Sequence, residues 1–185
     1  MNLVPKLRKE KKVTNIHQDE LIDEYAWIKQ EDWQSVLKDP SKLNKEVLEY
    51  INNENNYKSV KFRDLDTFKK KIFEELKGRI KDKDSSVPIK DGQFSYYSKY
   101  MENSEYPQFL RVNKKNDEEI IFDANIKSKS FKFFNLNSVS HSYNHQYLAY
   151  NVDTNGSEYY DLSVEEISTK KIITQKIENT TGEIV

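Results

Sequence analysis

Apolar residues recur at helical spacing through the first eighty positions of the chain. The clearest series repeats every three or four residues, with Lys, Glu and Asp on the opposite face, and consists of Phe62, Leu65, Phe68, Ile72, Phe73, Leu76 and Ile80. Another helix is predicted to begin at Asp39 and Pro40, because this pair is typical of an N-cap followed by proline in the first turn. We therefore predict that residues up to about 80 are helical, with a further short turn around Trp33.

The pattern changes after a polar stretch at residues 82–88. Short apolar and aromatic runs then follow one another about every 12 residues, which is typical of antiparallel strands in a sandwich, barrel or propeller. The predicted strands are residues 94–100, 106–112, 119–122, 133–139, 146–152, 158–164 and 171–177. Gly92 after Asp91, and Gly156 after Asn155, are turn signals that flank or separate these strands.

These two periodicities predict an α+β chain. Residues 1–80 would form an N-terminal helical segment and residues 81–185 a set of antiparallel strands, with the boundary within residues 81–92. A length of 185 residues permits one domain or two small ones.

Composition excludes several classes of function. The 30 Lys and Arg nearly balance 31 Asp and Glu, and a net charge of -1 creates no global field for nucleic acid or an anionic membrane. The absence of cysteine excludes disulfide scaffolds, thiol nucleophiles, iron–sulfur clusters and thiolate zinc sites. The four glycines are too far apart for a dinucleotide fingerprint, a P-loop or a hydrolase nucleophile elbow.

The location of the protein is predicted from what the sequence does not contain. No apolar run approaches the roughly 20 residues that cross a bilayer. The Lys-rich start, residues 1–12, is not followed by the apolar stretch of a signal peptide. Together with the lack of cysteine, this predicts a cytoplasmic protein with no membrane partner.

Two histidines, His141 and His145, lie four positions apart, a spacing that can hold a metal ion on a helix. Here the spacing falls across a predicted strand end and turn, where the two rings would not converge, and no carboxylate-rich third-ligand motif accompanies it. We interpret both as ordinary loop residues and predict no metal site. His17 lies among polar residues and is predicted to be solvated.

Paired carboxylates and short basic runs are abundant, and chance explains them in so charged a chain. The acidic pairs are Asp19-Glu20, Asp23-Glu24, Glu31-Asp32, Glu118-Glu119 and Glu165-Glu166. Basic residues cluster at 9–12 and at 69–71, the second run on the polar face of the predicted helix. We predict that these groups are solvated rather than catalytic or phosphate-binding.

Aromatic residues are numerous, with 12 Tyr and 9 Phe. They could form a stacking platform for single-stranded nucleic acid, but they alternate in strands and only four arginines accompany them, namely Arg8, Arg63, Arg79 and Arg111. Cross-strand packing explains them better. No serine has a glycine-elbow context and no histidine has an evident orienting partner. We therefore predict no catalytic residue, no cofactor-binding residue and no metal ligand.

Five blocks in the same order along the chain resemble the prolyl oligopeptidase family of serine peptidases, and the last three resemble its oligopeptidase B (protease II) branch in particular. The blocks are residues 23–33 (DEYAWIKQEDW), 50–57 (YINNENNY), 74–92 (EELKGRIKDKDSSVPIKDG), 148–158 (LAYNVDTNGSE) and 177–182 (IENTTG). The chain departs from the family at residues 142–145 (SYNH), which replace an S-P-D-G-like turn, so a tight turn is not predicted there.

The resemblance implies an N-terminal helical segment, a seven-bladed propeller and a C-terminal α/β-hydrolase domain. Residues up to about 75 would pack on the hydrolase domain, and the later residues would form the first one to two blades. The family's catalytic Ser, Asp and His lie in the hydrolase domain, so no position of this sequence is assigned a catalytic role.

The chain is thus interpreted as an N-terminal fragment of an oligopeptidase B-like enzyme that cleaves short peptides after Lys or Arg. By itself it would be inactive, and would contribute domain docking and substrate filtering. Its partner would be a separately encoded hydrolase domain. Two alternatives remain open, namely a stand-alone β-sheet binding module and a non-functional remnant of a split reading frame. Fewer than two blades of seven would leave exposed strand edges and an uncovered helix face, so the isolated chain is predicted to be marginally stable or to self-associate.

Overall fold

A computed structural model describes residues 4–184. The chain separates into two compact units, with the division between Arg79 and Ile80. Among the described residues, none of the helices combines the length and apolar character that spanning a membrane requires.

The N-terminal unit contains a β-hairpin followed by helices. Its strands and α-helices are β1 (Lys12–Ile16), β2 (Asp19–Asp23), α1 (Trp33–Lys38), α2 (Lys45–Phe62) and α3 (Asp66–Lys77). Single turns of 3₁₀-helix occupy Ala26–Ile28, Pro40–Lys42 and Arg63–Leu65. The short turn expected around Trp33 is confirmed as α1.

The hairpin corrects the prediction that residues up to about 80 are helical. Strands β1 and β2 pair antiparallel around His17 and Gln18, which have positive φ angles of 52° and 72°. A two-residue hairpin turn of type I′ requires positive φ at both central residues, and Asn-Gly is its usual sequence. His-Gln gave no such signal, and both strands are exposed throughout, so they show no buried alternation.

The predicted helices are confirmed with different starting points. Asp39 caps the 3₁₀ turn at Pro40 and accepts a hydrogen bond from the Ser41 amide, whereas α2 has its own cap. The Asn44 side chain accepts from the amides of Glu46 and Val47, at 2.8 and 3.4 Å. Each cap satisfies amides that have no partner within the helix.

The C-terminal unit is built of antiparallel strands and one short helix. They are β3 (Asp84–Ser85), β4 (Ile89–Asp91), β5 (Phe94–Tyr100), β6 (Gln108–Asn113), β7 (Glu118–Asp123), α4 (Ala124–Ser128), β8 (Asn135–His141), β9 (Tyr147–Asp153), β10 (Tyr160–Glu166) and β11 (Ile177–Thr180). The first sheet has the order β3-β5-β6-β7, with β4 also pairing with β5, and the second has the order β11-β10-β9-β8.

Six of the seven predicted strands overlap observed ones over most of their length, and the seventh overlaps one only at Ile177. The seventh, residues 171–177, is wrong, because the strand begins only at Ile177 and the preceding stretch contributes an isolated bridge from Ile172 to Glu165. Ile172 and Ile173 are 42% and 47% exposed, so this apolar pair does not point into the core. Strands β3 and β4 and helix α4 were not predicted, since each is shorter than the periodicity can resolve.

The core of the C-terminal unit lies between its two sheets. Its buried residues are Ile121, Phe122, Ala124, Phe134, Leu148, Tyr150, Val152 and Ile167. The rings of Phe122 on β7 and Tyr150 on β9 are 4.7 Å apart and join the sheets directly. Packing of this kind fixes the position of one sheet against the other, and so of any side chains that meet at their edges.

Candidate functional site

His141 and His145 lie next to each other, which corrects the prediction that their rings would not converge. The ring centroids are 5.6 Å apart with an angle of 18° between the planes. Asp91, at the end of β4, joins them, and one ligand atom from each of the three residues lies within 4.8 Å of the other two. We call Asp91, Tyr96, His141 and His145 the histidine cluster.

The turn that carries His145 is tight, although its sequence departs from the family pattern. The Ser142 amide donates to the Tyr147 carbonyl at 2.9 Å, and the His145 amide donates to the Ser142 carbonyl at 2.8 Å. His145 has a φ of 61°, a left-handed conformation that glycine usually supplies. The chain therefore reverses within this turn, and the reversal brings His145 back beside His141.

Both histidines have an orienting partner, contrary to the sequence-based prediction. Nε2 of His141 lies 2.8 Å from Oδ2 of Asp91. Nδ1 of His145 lies 2.8 Å from the hydroxyl of Tyr96, whose ring stacks on His141 with centroids 3.7 Å apart and planes 8° apart. The neighbouring serine does not take part, because the Ser142 hydroxyl donates to Asn144 Oδ1 at 2.7 Å. The cluster thus lacks the serine–histidine contact of a nucleophile.

Tyr96 and Arg111 form a cross-strand pair between β5 and β6. Nη1 of Arg111 donates to the His145 carbonyl at 2.6 Å, and Nε donates to Glu119 at 2.7 Å. Burial raises the pKa of the Tyr96 hydroxyl, and the nearby Arg111 charge opposes that rise. The hydroxyl is therefore a neutral hydrogen-bonding group beside His145.

Gly92 leaves room for His145. A Cβ atom at position 92 would lie 2.6 Å from Nε2 of His145, closer than real contacts allow, and Gly92 has a φ of 57°. Because Gly92 follows Asp91, this nitrogen points toward the turn that carries the carboxylate. The cluster therefore offers two imidazoles and one carboxylate, which are zinc-type ligands.

The other residues considered from the sequence are mostly solvent-exposed. His17 and the basic runs at 9–12 and 69–71 are exposed, as predicted. Glu165 is an exception among the acidic pairs, since it is buried, with 6% exposure, and forms an ion pair with Lys127 at 3.3 Å. Lys127 also lies over the ring of Tyr150, 4.8 Å from its centroid, so this pair belongs to the core packing.

An apolar surface on α3 is the second candidate site. Four residues on this helix are exposed, namely Phe68 at 59%, Ile72 at 40%, Phe73 at 60% and Leu76 at 55%. The amphipathic pattern predicted that this helix packs against something, and within the described part of the chain α3 buries no residue. We call these four residues the α3 apolar face. Contiguous exposed apolar surface is typical of an interaction site.

Comparison with known proteins assigns nearly the whole chain to one family domain. Residues 5–185 match the family described as prolyl oligopeptidase, N-terminal β-propeller domain. Among curated proteins the chain is 26% identical over 171 residues to Protease 2 of Moraxella lacunata, covering 89% of this chain and 23% of that protein. It is 27% identical over 186 residues to dipeptidyl aminopeptidase BI of Pseudoxanthomonas mexicana, covering 91% and 24%. The chain therefore spans about a quarter of the length of these relatives.

Solved structures of oligopeptidases contain the same fold as this chain. Oligopeptidase B from Leishmania major superposes with a TM-score of 0.81 at 24% identity, over 100% of this chain and 28% of that one. Oligopeptidase B from Trypanosoma brucei, with covalently bound antipain, gives a TM-score of 0.76 at 21% identity, over 98% and 27%. The predicted α+β class, with helices followed by propeller-type antiparallel sheets, is confirmed.

Proposed function

The chain belongs to the prolyl oligopeptidase family through its N-terminal β-propeller domain, and on this premise we propose that it is the propeller-side part of an oligopeptidase B-like serine endopeptidase. In this role the chain itself does no chemistry. It docks to a hydrolase domain that carries the catalytic residues, and its sheets restrict which peptides reach them. The cytoplasm is the location we propose for it, in keeping with a cysteine-free sequence.

The α3 apolar face is the observation that carries the docking role. Phe68 and Phe73 each expose more than half of their surface on one helix. Leaving such side chains in water forgoes about 1.5–3 kcal/mol each compared with burial. A partner surface that covers this face would recover the part of that free energy that belongs to the exposed surface, and the hydrolase domain implied by the family is the partner we propose.

The proposed substrates are short peptides cleaved after Lys or Arg. This part of the proposal rests on the three sequence blocks that resemble the oligopeptidase B branch, at residues 74–92, 148–158 and 177–182. The two curated relatives carry different names, one a protease and the other a dipeptidyl aminopeptidase, at nearly equal identity of 26% and 27%. The mode of cleavage therefore has to be tested together with the residue preference.

The experiment begins by translating the DNA immediately downstream of this chain. We expect the translation to encode further propeller blades and a serine in a glycine-elbow motif. The two pieces are then purified and mixed, and hydrolysis is followed with two fluorogenic substrates. One is an N-blocked peptide ending in Arg, and the other is an unblocked dipeptide. We expect the mixture to cleave the blocked Arg substrate and each piece alone to be inactive.

The α3 apolar face supplies the matched variants for this experiment. Phe73→Glu should abolish activation of the hydrolase piece, whereas Tyr143→Ser, at a 97% exposed aromatic in a turn, should leave it unchanged. Activity of the chain alone would overturn the non-catalytic role. Cleavage of only the unblocked dipeptide would overturn the endopeptidase assignment. Failure to activate any hydrolase piece would favour a stand-alone binding module.

A further inference from the structure

We propose that the histidine cluster binds a divalent transition-metal ion, with zinc as the representative ion, through Asp91, His141 and His145. This inference is independent of the proposed peptidase role. The ligand atoms come from strand β4, strand β8 and the turn after β8, so an ion there would link the two sheets of the C-terminal unit.

The distances between the ligand atoms lie on either side of the spacing that one small ion requires. Zinc lies about 2.0–2.2 Å from nitrogen and oxygen ligands, so two tetrahedral ligands are about 3.4 Å apart. The three ligand atoms are all within 4.8 Å of one another, and the pair formed by His141 and Asp91 is at 2.8 Å. Ligand atoms near the 4.8 Å limit have to approach by about 1.4 Å, whereas the His141–Asp91 pair has to open by about 0.6 Å. The Asp91 side chain is 51% exposed and therefore free to make that movement.

The surroundings of His145 favour a ligand role for its Nε2 atom. Tyr96 hydrogen-bonds to Nδ1 at 2.8 Å and leaves Nε2 for an ion. Metal-binding histidines usually use their second nitrogen in this way, and the partner fixes the ring orientation. Gly92 adds a second constraint, because any Cβ there would occupy the space that Nε2 uses. His141 is held in a similar way by stacking on the Tyr96 ring.

The ligand set also determines which ions fit. Two imidazoles and a carboxylate favour Zn²⁺, Co²⁺, Ni²⁺ or Cu²⁺ over Mg²⁺ and Ca²⁺, which prefer oxygen ligands. Water would complete the coordination, and His141 and Asp91 are accessible enough to admit it, with side chains 24% and 51% exposed. Arg111 places a positive charge nearby, which Glu119 partly neutralises through their ion pair at 2.7 Å. Arg111 therefore weakens binding without blocking the site.

The test titrates the full chain, prepared without a polyhistidine tag and stripped with a chelator, with Co²⁺ and then Zn²⁺. Cobalt bound to nitrogen and oxygen ligands gives visible absorption bands that report its coordination. We expect about one ion per chain, displacement of Co²⁺ by Zn²⁺, and a rise in melting temperature, because the ion binds the folded state. Magnesium should produce none of these changes.

Single substitutions locate the ion. His141→Ala and His145→Ala should each weaken binding at least about tenfold, and Tyr96→Phe by about tenfold through the lost hydrogen bond to His145. His17→Ala is the matched control, because His17 is the third histidine of the chain and lies outside the cluster. It should leave binding unchanged.

A measurement on the unmodified chain covers the case in which a variant fails to fold. Paramagnetic Co²⁺ should shift or broaden the NMR signals of His141, His145 and Gly92 before those of His17. Absence of Co²⁺ and Zn²⁺ binding would overturn the proposal. So would binding that survives both cluster histidine substitutions, or NMR changes confined to His17.

Discussion

The Nε2 atom of His145 lies 2.6 Å from the position that a Cβ atom on Gly92 would occupy. Two turns that are far apart in sequence are thus in direct contact, since Gly92 follows β4 and His145 follows β8. Both residues have positive φ angles, of 57° and 61°. Only glycine adopts this backbone without strain, so His145 is held there by its contacts with Tyr96 and Arg111.

Gly92→Ala should therefore destabilise the chain more than Gly156→Ala. Both positions have positive φ, of 57° and 76°, so both variants incur a similar backbone strain of about 1–2 kcal/mol. At Gly156 the nearest atoms to a Cβ belong to Phe133 at 3.8 Å, an ordinary contact. At Gly92 the added methyl displaces His145, which should cost a further ~1–3 kcal/mol. Urea denaturation measures the unfolding free energy of both variants. Equal losses of stability would contradict the prediction and show that His145 moves aside without cost.

Glu118 should make stability depend on pH in the acidic range. Hydrogen bonds from Lys99 and then from Tyr97 hold the pKa of the Glu118 carboxyl below its usual value. Its unfolded value is about 4.3. The carboxylate therefore stabilises the fold fully above that pH, and the contribution is lost as pH falls through the lowered folded pKa.

The measurement compares the unfolding free energy of the unmodified chain and of the Glu118→Gln variant at pH 7 and in acid. We expect the unmodified chain to be more stable at pH 7 and the difference to shrink on acidification. Lys99→Met is a second test, since it removes the first of the two hydrogen bonds and should weaken the pH dependence. A difference in stability between the unmodified chain and the Glu118→Gln variant that does not change with pH would contradict the assignment.

Asp153 should be essential to the turn between β9 and β10. Asp153 is 2% exposed, and its carboxylate accepts from three backbone amides, those of Asn155, Gly156 and Glu158, at 2.8, 3.0 and 2.8 Å. Asp153→Asn places an NH₂ group against at least one of these donors, so we expect a loss of about 1–3 kcal/mol. Asp117→Asn, in the exposed turn after β6, should change stability by less than about 0.5 kcal/mol. Thermal or urea denaturation measures the stability of both variants. A similar loss of stability in Asp153→Asn and Asp117→Asn would be inconsistent with this role.

Self-association of the isolated chain should depend on its uncovered surfaces. The α3 apolar face offers Phe68 and Phe73, and strand β7 forms an edge of the first sheet and exposes Ile120 at 43%. Light scattering after gel filtration should show oligomers at high concentration. Phe73→Glu tests the helix face and Ile120→Lys tests the strand edge, with Tyr143→Ser as the control. A clean monomer with a sharp melt would refute the expectation.

The helix-to-strand division could be read from the sequence because hydrophobic period depends on local geometry. A helix repeats every 3.6 residues and a strand every two, so α3 and six strands were predicted from side-chain order alone. The hairpin β1–β2 was missed because His17 and Gln18 are not the residues that usually mark its turn. The strand at 171–177 was misplaced because the adjacent residues Ile172 and Ile173 suggested a buried strand. Tertiary packing leaves both side chains exposed instead.

The sequence by itself therefore determined the class of the fold, the family blocks and the absence of a glycine-based catalytic motif. Only the tertiary structure decided that Asp91, Tyr96, His141 and His145 meet, since 50 positions separate Asp91 from His141. Sheet pairing and the core between the sheets set that distance, and neither is encoded in spacing along the chain. Local patterns specify elements, whereas a site formed by residues far apart in sequence depends on how those elements pack.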